Sequence, residues 1–85
     1  MRDMELTFYD ESIKLIEVIE DINLSDTQSL KTLVIERNGE RLISFQKWWR
    51  VSANQSWREG KGFYFNKSET TSAIDSLSKA VNKMD

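Results

Sequence analysis

The stretch FQKWWR, residues 45–50, sets two tryptophans between a lysine and an arginine, and SWREGKGFYF, residues 56–65, again mixes rings with cations. Seven of the nine aromatic residues lie between 39 and 65. Residues 37–67 hold seven basic side chains, Arg37, Arg41, Lys47, Arg50, Arg58, Lys61 and Lys67, against two acidic ones, Glu40 and Glu59. Rings alone suit a core, and cations alone suit a solvated face. The two interleaved suit a polyanion that carries flat bases. Each stacked base is worth roughly 1–3 kcal/mol, and each neutralised phosphate adds a salt-sensitive increment. A single strand offers unstacked faces and phosphates together, so this stretch nominates a single-strand nucleic-acid surface. Trp49, Trp57 and Tyr64 are the candidate platforms, and Arg37, Arg41, Lys47, Arg50, Arg58 and Lys61 the candidate phosphate ligands.

A plainer reading stands beside each ring. Trp48 and Trp49 are neighbours, so a regular strand points them to opposite faces and commits one to the core. Phe45, Phe63 and Phe65 read as core. Trp57 sits in a polar stretch, and tucking over the core edge or waiting for a ligand are equally open to it. For the charges, the alternative is a solvated face balanced by acids elsewhere in the chain.

Those acids are concentrated. Residues 1–36 carry three basic and nine acidic side chains, so a chain of net charge −2 is acidic at its start and basic in its middle. Such asymmetry points to a nucleic-acid or acidic-partner surface with an acidic arm beside it. Much other chemistry is missing. There is no Cys and no His, which removes disulfides, thiolate or imidazole metal sites and most nucleophile–base pairs. No phosphate-binding glycine loop occurs, and GKG alone carries no such meaning. DINLSD, residues 21–26, imitates the opening of a calcium loop, but Asp26 and Thr32 stand where that loop needs Gly and Glu. Adjacent carboxylates such as Glu20 and Asp21 read as charged surface. The expectation is a protein without catalytic activity, cofactor or metal. No apolar run approaches the roughly 18 residues of a membrane span, and the first residues do not read as a signal peptide. A cytosolic setting follows.

The elements that must position these residues read as β–β–β–β–α. Asn66 followed by Glu69 makes a capping box. Ala73, Ile74, Leu77, Ala80, Val81 and Met84 then form one apolar stripe, which predicts a helix over 67–83. Asn38-Gly39 is a strong two-residue hairpin signal. It sets Arg37 opposite Glu40, Glu36 opposite Arg41, Ile35 opposite Leu42 and Val34 opposite Ile43. Residues 51–60 read as a polar loop and KGFYFN as a last strand, with Phe63 and Phe65 facing the helix and Tyr64 facing out. The first third is ambiguous. Ile13, Ile16 and Ile19 fit a helix after Ser12, yet the Ile and Val content favours a strand over 13–19. LSDTQS reads as a loop. The expected organisation is an acidic N-terminal arm at 1–12 and a domain over 13–85.

Residues 34–81 resemble the single-stranded-DNA-binding domain of the positive cofactor four family of transcription coactivators, which has bacterial and phage members. The shared pieces are a glycine hairpin turn at Asn38-Gly39, a strand ending in aromatic-Trp (LISFQKWW), a basic polar loop, Lys-Gly before a short strand (GKGFYFN) and an amphipathic helix from Asn66. The resemblance implies an α+β fold, a four-stranded antiparallel sheet followed by a C-terminal helix. It also implies a homodimer through the helices, here Ile74, Leu77, Val81 and Met84, and no enzymatic activity. The family's stacking Trp corresponds to Trp49 and its basic groove residue to Lys61. Gln46 stands where the family has an Arg. Arg37 stands at the second stacking position, where a guanidinium also stacks on a base. Trp57 and Tyr64 are expected to add to the platform.

The family's long Ser- and Lys-rich tail is missing, which favours a bacterial or phage member. Single-stranded DNA is then the expected partner, in replication or recombination, in the cytoplasm of a bacterium or phage-infected host. A nuclear setting would hold only for a eukaryotic member. The alternatives are a transcription coactivator of the same family, meeting transcription proteins, or a protein–protein adaptor that uses Trp48, Trp49 and Trp57 as anchors.

Overall fold

The computed structural model describes residues 6–84. The Asn38-Gly39 signal acts as its chemistry dictates. Both residues take positive φ, 53° and 82°, the conformation a two-residue hairpin turn needs. The turn joins β3 (Gln28–Arg37) to β4 (Glu40–Trp49). Their register pairs Arg37 with Glu40, Glu36 with Arg41, Ile35 with Leu42 and Val34 with Ile43, as the turn predicts. A second tight hairpin, turning at Asp26 and Thr27, joins β2 (Ile13–Ser25) to β3. The loop expected over LSDTQS is therefore mostly strand, and the strand expected over 13–19 runs on to Ser25.

β5 (Trp57–Phe65) pairs antiparallel with β4, and a short β1 (Leu6–Thr7) adds to the far edge, parallel to β5. The result is one curled mixed sheet of order β1-β5-β4-β3-β2, followed by α1 (Lys67–Val81). The sheet thus has five strands where four were expected. The extra one forms because Leu6 and Phe8 have apolar surface to bury beside β5, and both pack against the core.

The core lies on the inner face of the curl. Ile13, Leu33, Ile35, Leu42, Trp48 and Trp57 are buried there, with Phe8 edge-on to Trp48 at 5.2 Å. Full burial stabilises by about 1.5–3 kcal/mol per large apolar side chain. Strict alternation along β3 and β4 sends every second residue to this face. Polar groups share it: Ser29, Lys31, Ser44, Gln46 and Glu59 are buried with the apolar residues.

The helix begins as its sequence requires. The Asn66 side chain accepts from the Glu69 N–H, and the Glu69 carboxylate accepts from the Asn66 N–H. Its relation to the sheet differs from expectation, because no helix residue is buried. Its first turns, at Lys67 and Thr70, share a shallow pocket with Val34, Arg41, Leu42, Ile43 and Phe65. Phe63 is not covered by it at all; Tyr64 is the residue of that strand packed inward against the core. Among the described residues, no helix is long and apolar enough to cross a membrane.

Candidate nucleic-acid interface

Cross-strand partners share a sheet face. Trp49, Lys47, Phe45, Ile43 and Arg41 therefore line up along the outer face of β4. Their partners on the same face are Arg58, Phe63 and Phe65 of β5 and Gln28, Leu30, Thr32, Val34 and Glu36 of β3, Glu36 lying opposite Arg41 at the end away from Trp49. Between Trp49 and Phe63 this face sinks into an open cleft of about 520 Å³. Gln28, Leu30, Phe45, Lys47, Trp49, Lys61 and Phe63 line it from this face, and among the described residues none that lines it is acidic.

The hollow exists because β5 is irregular there. Gln46 pairs with Gly62 and Trp48 with Glu59, so β5 fits Gly60 and Lys61 against the single residue Lys47. This is a bulge, and it demands glycine on both sides. A Cβ on Gly60 would lie 2.4 Å from the Lys47 carbonyl oxygen. One on Gly62 would lie 2.4 Å from the Gln46 Cα and the Phe45 carbonyl oxygen. GKG thus has a local meaning: it brings two backbones together and leaves a floor without side chains.

The Trp49 ring forms one wall. It is 38 % exposed, against 0 % for Trp48 and 7 % for Trp57, so it is the tryptophan that offers a surface. Its Nε1–H donates to the Glu59 carbonyl at 3.2 Å, and the Arg58 guanidinium sits 5.6 Å from its centroid. Phe63, 63 % exposed, stacks on Phe65 at 5.6 Å with an 18° interplanar angle. These rings with Lys47, Lys61 and Arg58 form a polarisable wall beside three cations, the chemistry that stacking a flat base and neutralising a phosphate would require.

The fold sorts the ten residues nominated from sequence into two groups. Lys47, Trp49, Arg58 and Lys61 meet at or beside the cleft, and Arg41 lies farther along the same face. The other five lie on or against the inner side. Trp57 opens β5 and is buried, where a loop position was expected; the Lys31 ammonium lies 4.4 Å and the Arg50 guanidinium 4.0 Å from its ring centroid. Arg50 also donates from Nε to the Asp26 carbonyl at 2.8 Å. Gln46 is buried and donates to the Glu59 carboxylate at 3.1 Å. The Tyr64 hydroxyl donates to the same carboxylate, and the Arg37 guanidinium lies 5.4 Å from the Tyr64 ring. Burial, and then the Glu59 hydrogen bond, push the Tyr64 pKa well above its ordinary value.

Phe45 and Phe63 were read as core and stand in the cleft instead. For Phe45 the available signal was its alternation in step with Lys47 and Trp49 on β4; for Phe63 the bulge at Gly60-Lys61 breaks the parity with Trp57, so no such signal existed. Phe8, which falls within the expected N-terminal arm, packs edge-on against Trp48 on the inner face. No protein-family model, curated protein or solved structure matches the chain.

Proposed function

We propose that this chain is a non-catalytic single-stranded DNA-binding protein that acts by base stacking and phosphate neutralisation with little sequence preference. The observation that carries the proposal is the acid-free cleft, in which the exposed Trp49 ring stands beside Lys47 and Lys61. Glu59, the acid nearest in sequence, is turned to the other face and buried. An open cleft lined by rings accommodates any base, because every base has a π face. The cleft residues therefore supply affinity without base-edge readout. The fold's meander of four antiparallel strands followed by a helix is compatible with the resemblance to the positive cofactor four family. A place in bacterial or phage replication or recombination rests on that resemblance alone, as does the alternative of a transcription coactivator.

The working unit in this proposal is a homodimer. Ile74, Leu77, Val81 and Met84 are all exposed on the isolated chain, and a second copy is the covering partner that the resemblance implies. The same stripe favours the second reading, an adaptor that grips another protein through apolar contacts.

A fluorescence titration separates the readings. Oligothymidylate should quench the tryptophan emission, duplex DNA of equal length should quench it far less, and both should weaken as salt rises. Emission that ignores single strands at low salt would leave the adaptor.

A further inference from the structure

Glu59 faces two ways. Its carboxylate, on the inner face, accepts from three donors: the Tyr9 N–H at 2.7 Å, the Gln46 Nε2–H at 3.1 Å and the Tyr64 hydroxyl. Its carbonyl accepts the Trp49 indole N–H at 3.2 Å and, at 3.4 Å, the Tyr9 hydroxyl. Gln46 is itself held, since its Oε1 accepts from Ser44 Oγ at 2.6 Å. The residue also sits immediately before the Gly60-Lys61 bulge, where β5 leaves its regular ladder with β4. A backbone at a bulge has lost ladder partners, so its direction depends on what else holds it. Here the holding group is a carboxylate locked by three donors on two oxygens.

We infer that Glu59 is a positioning residue for the Trp49 stacking platform: its buried carboxylate fixes the β5 backbone whose carbonyl orients the indole. This rests on the single-strand reading of the cleft. It also opposes the simple charge argument. An acid within a basic segment repels phosphate, so its removal should tighten binding. A positioning role requires the reverse.

Glu59→Gln is the informative variant. It keeps the size but replaces one acceptor oxygen with an NH2 group, which then faces at least one of the three donors. Two measurements are made on full-length parent and variant. The first is hydrogen exchange of the three indole N–H signals by NMR. The Trp49 signal, assigned with Trp49→Phe, should lose protection, whereas that of Trp48, whose buried Nε1 has no acceptor among the described residues, should not change. The second is affinity for oligothymidylate over a salt series. It should fall about tenfold, within the range of one stacked base, with an unchanged salt slope. If Glu59→Gln does not fold, Tyr64→Phe removes one donor and should produce a smaller change in the same direction in both readouts. Unchanged Trp49 exchange, or tighter binding with the fold intact, overturns the inference. If the parent binds no oligonucleotide, the single-strand reading falls, and the indole exchange alone still decides whether Glu59 orients Trp49.

Discussion

The ammonium of Lys31, with no exposed surface, lies 2.9 Å from the carboxylate of Asp21, which keeps 26 % of its side-chain surface. The pair is unequal. Lys31 also donates to Ser29 Oγ at 3.1 Å and sits 4.4 Å from the Trp57 centroid, so among the described residues its charge is balanced by Asp21, one hydroxyl and a ring face. Asp21 retains contact with solvent. Asp21→Ala should therefore leave a buried, uncompensated cation and cost about 3 kcal/mol. Lys31→Met should cost about 1 kcal/mol, since the remaining carboxylate can hydrate and still accepts from Ser29. Urea denaturation of the two variants gives the order. Equal losses would mean that the ring and hydroxyl hold the charge unaided.

The cleft separates two contributions to binding. Trp49→Ala should weaken oligothymidylate affinity by about 1–3 kcal/mol with little change in salt slope. Lys61→Ala should weaken it less and flatten the slope by about one phosphate contact, near 0.7 for a single strand. Trp57→Phe, on the buried face, should leave both unchanged at equal stability. A Trp49 variant that folds and binds like the parent would remove the stacking assignment.

What the sequence disclosed and what it hid differ in physical kind. The β3–β4 hairpin was legible because Asn38-Gly39 fixes a two-residue turn, and the turn fixes every later pair. The helix start was legible because the capping box is local. Trp48 and Trp49 separated by simple alternation. β2 was ambiguous for a definite reason: its pairing with β3 skips Ile16, Ile19 and Leu24. With register shifts at all three, two of them at Ile16 and Ile19, isoleucines at 13, 16, 19 and 22 follow a spacing of three that a helix also produces. β5 was read too short because Glu59 looks like a loop acid. Its burial depends on Tyr64 of its own strand and on Gln46 and Tyr9, which are brought to it from elsewhere in the chain. That same network turns Tyr64 inward rather than out, although its alternation with Phe63 and Phe65 was right; Phe65 does lie beside the helix start, whereas Phe63 stays exposed.

Tyr64 gives the fold a pH dependence at the alkaline end. Its folded-state pKa is raised above the ordinary value of 10.0, through burial first and the Glu59 hydrogen bond second. A raised pKa means that the folded chain keeps this proton when the unfolded chain has released it. The stabilisation is therefore complete below about pH 10 and declines as pH rises toward the folded value. Tyr64→Phe has no proton to lose. The stability difference between parent and variant should thus shrink from pH 8 to pH 11 in chemical denaturation. A constant difference would show that the phenol does not titrate differently in the two states.

The bulge glycines can be told apart from the turn glycine. Gly62→Ala drives a Cβ against the Gln46 Cα and the Phe45 carbonyl oxygen. Because these are backbone atoms, the strands must part, at about 1–3 kcal/mol. The same movement lifts the floor of the cleft, so affinity should fall along with stability. Gly39→Ala meets nothing within 4 Å but strains a φ of +82°, costing about 1 kcal/mol with affinity intact. Thermal melts and oligonucleotide titrations on both variants test this. Equal affinity losses would disconnect the bulge from the cleft.

The helix stripe predicts an assembly that can be broken without harming the subunit. Leu77 is 54 % exposed on the isolated chain, and no residue of α1 is buried. Leu77→Glu therefore removes nothing from the core and should leave a folded chain. If a second copy covers Ile74, Leu77, Val81 and Met84, the introduced carboxylate loses hydration at the interface without a partner, which is prohibitive for association. The parent should sediment as a dimer at micromolar concentration and the variant as a folded monomer with unchanged circular dichroism. Binding should respond in a length-dependent way. A strand long enough to cross both clefts of a dimer gains an intramolecular second contact, worth a factor of about 10² or more; a strand that fills one cleft does not. Leu77→Glu should thus lose affinity for long oligonucleotides and keep it for short ones. A parent that sediments as a monomer would end the dimer proposal and leave the stripe to another protein.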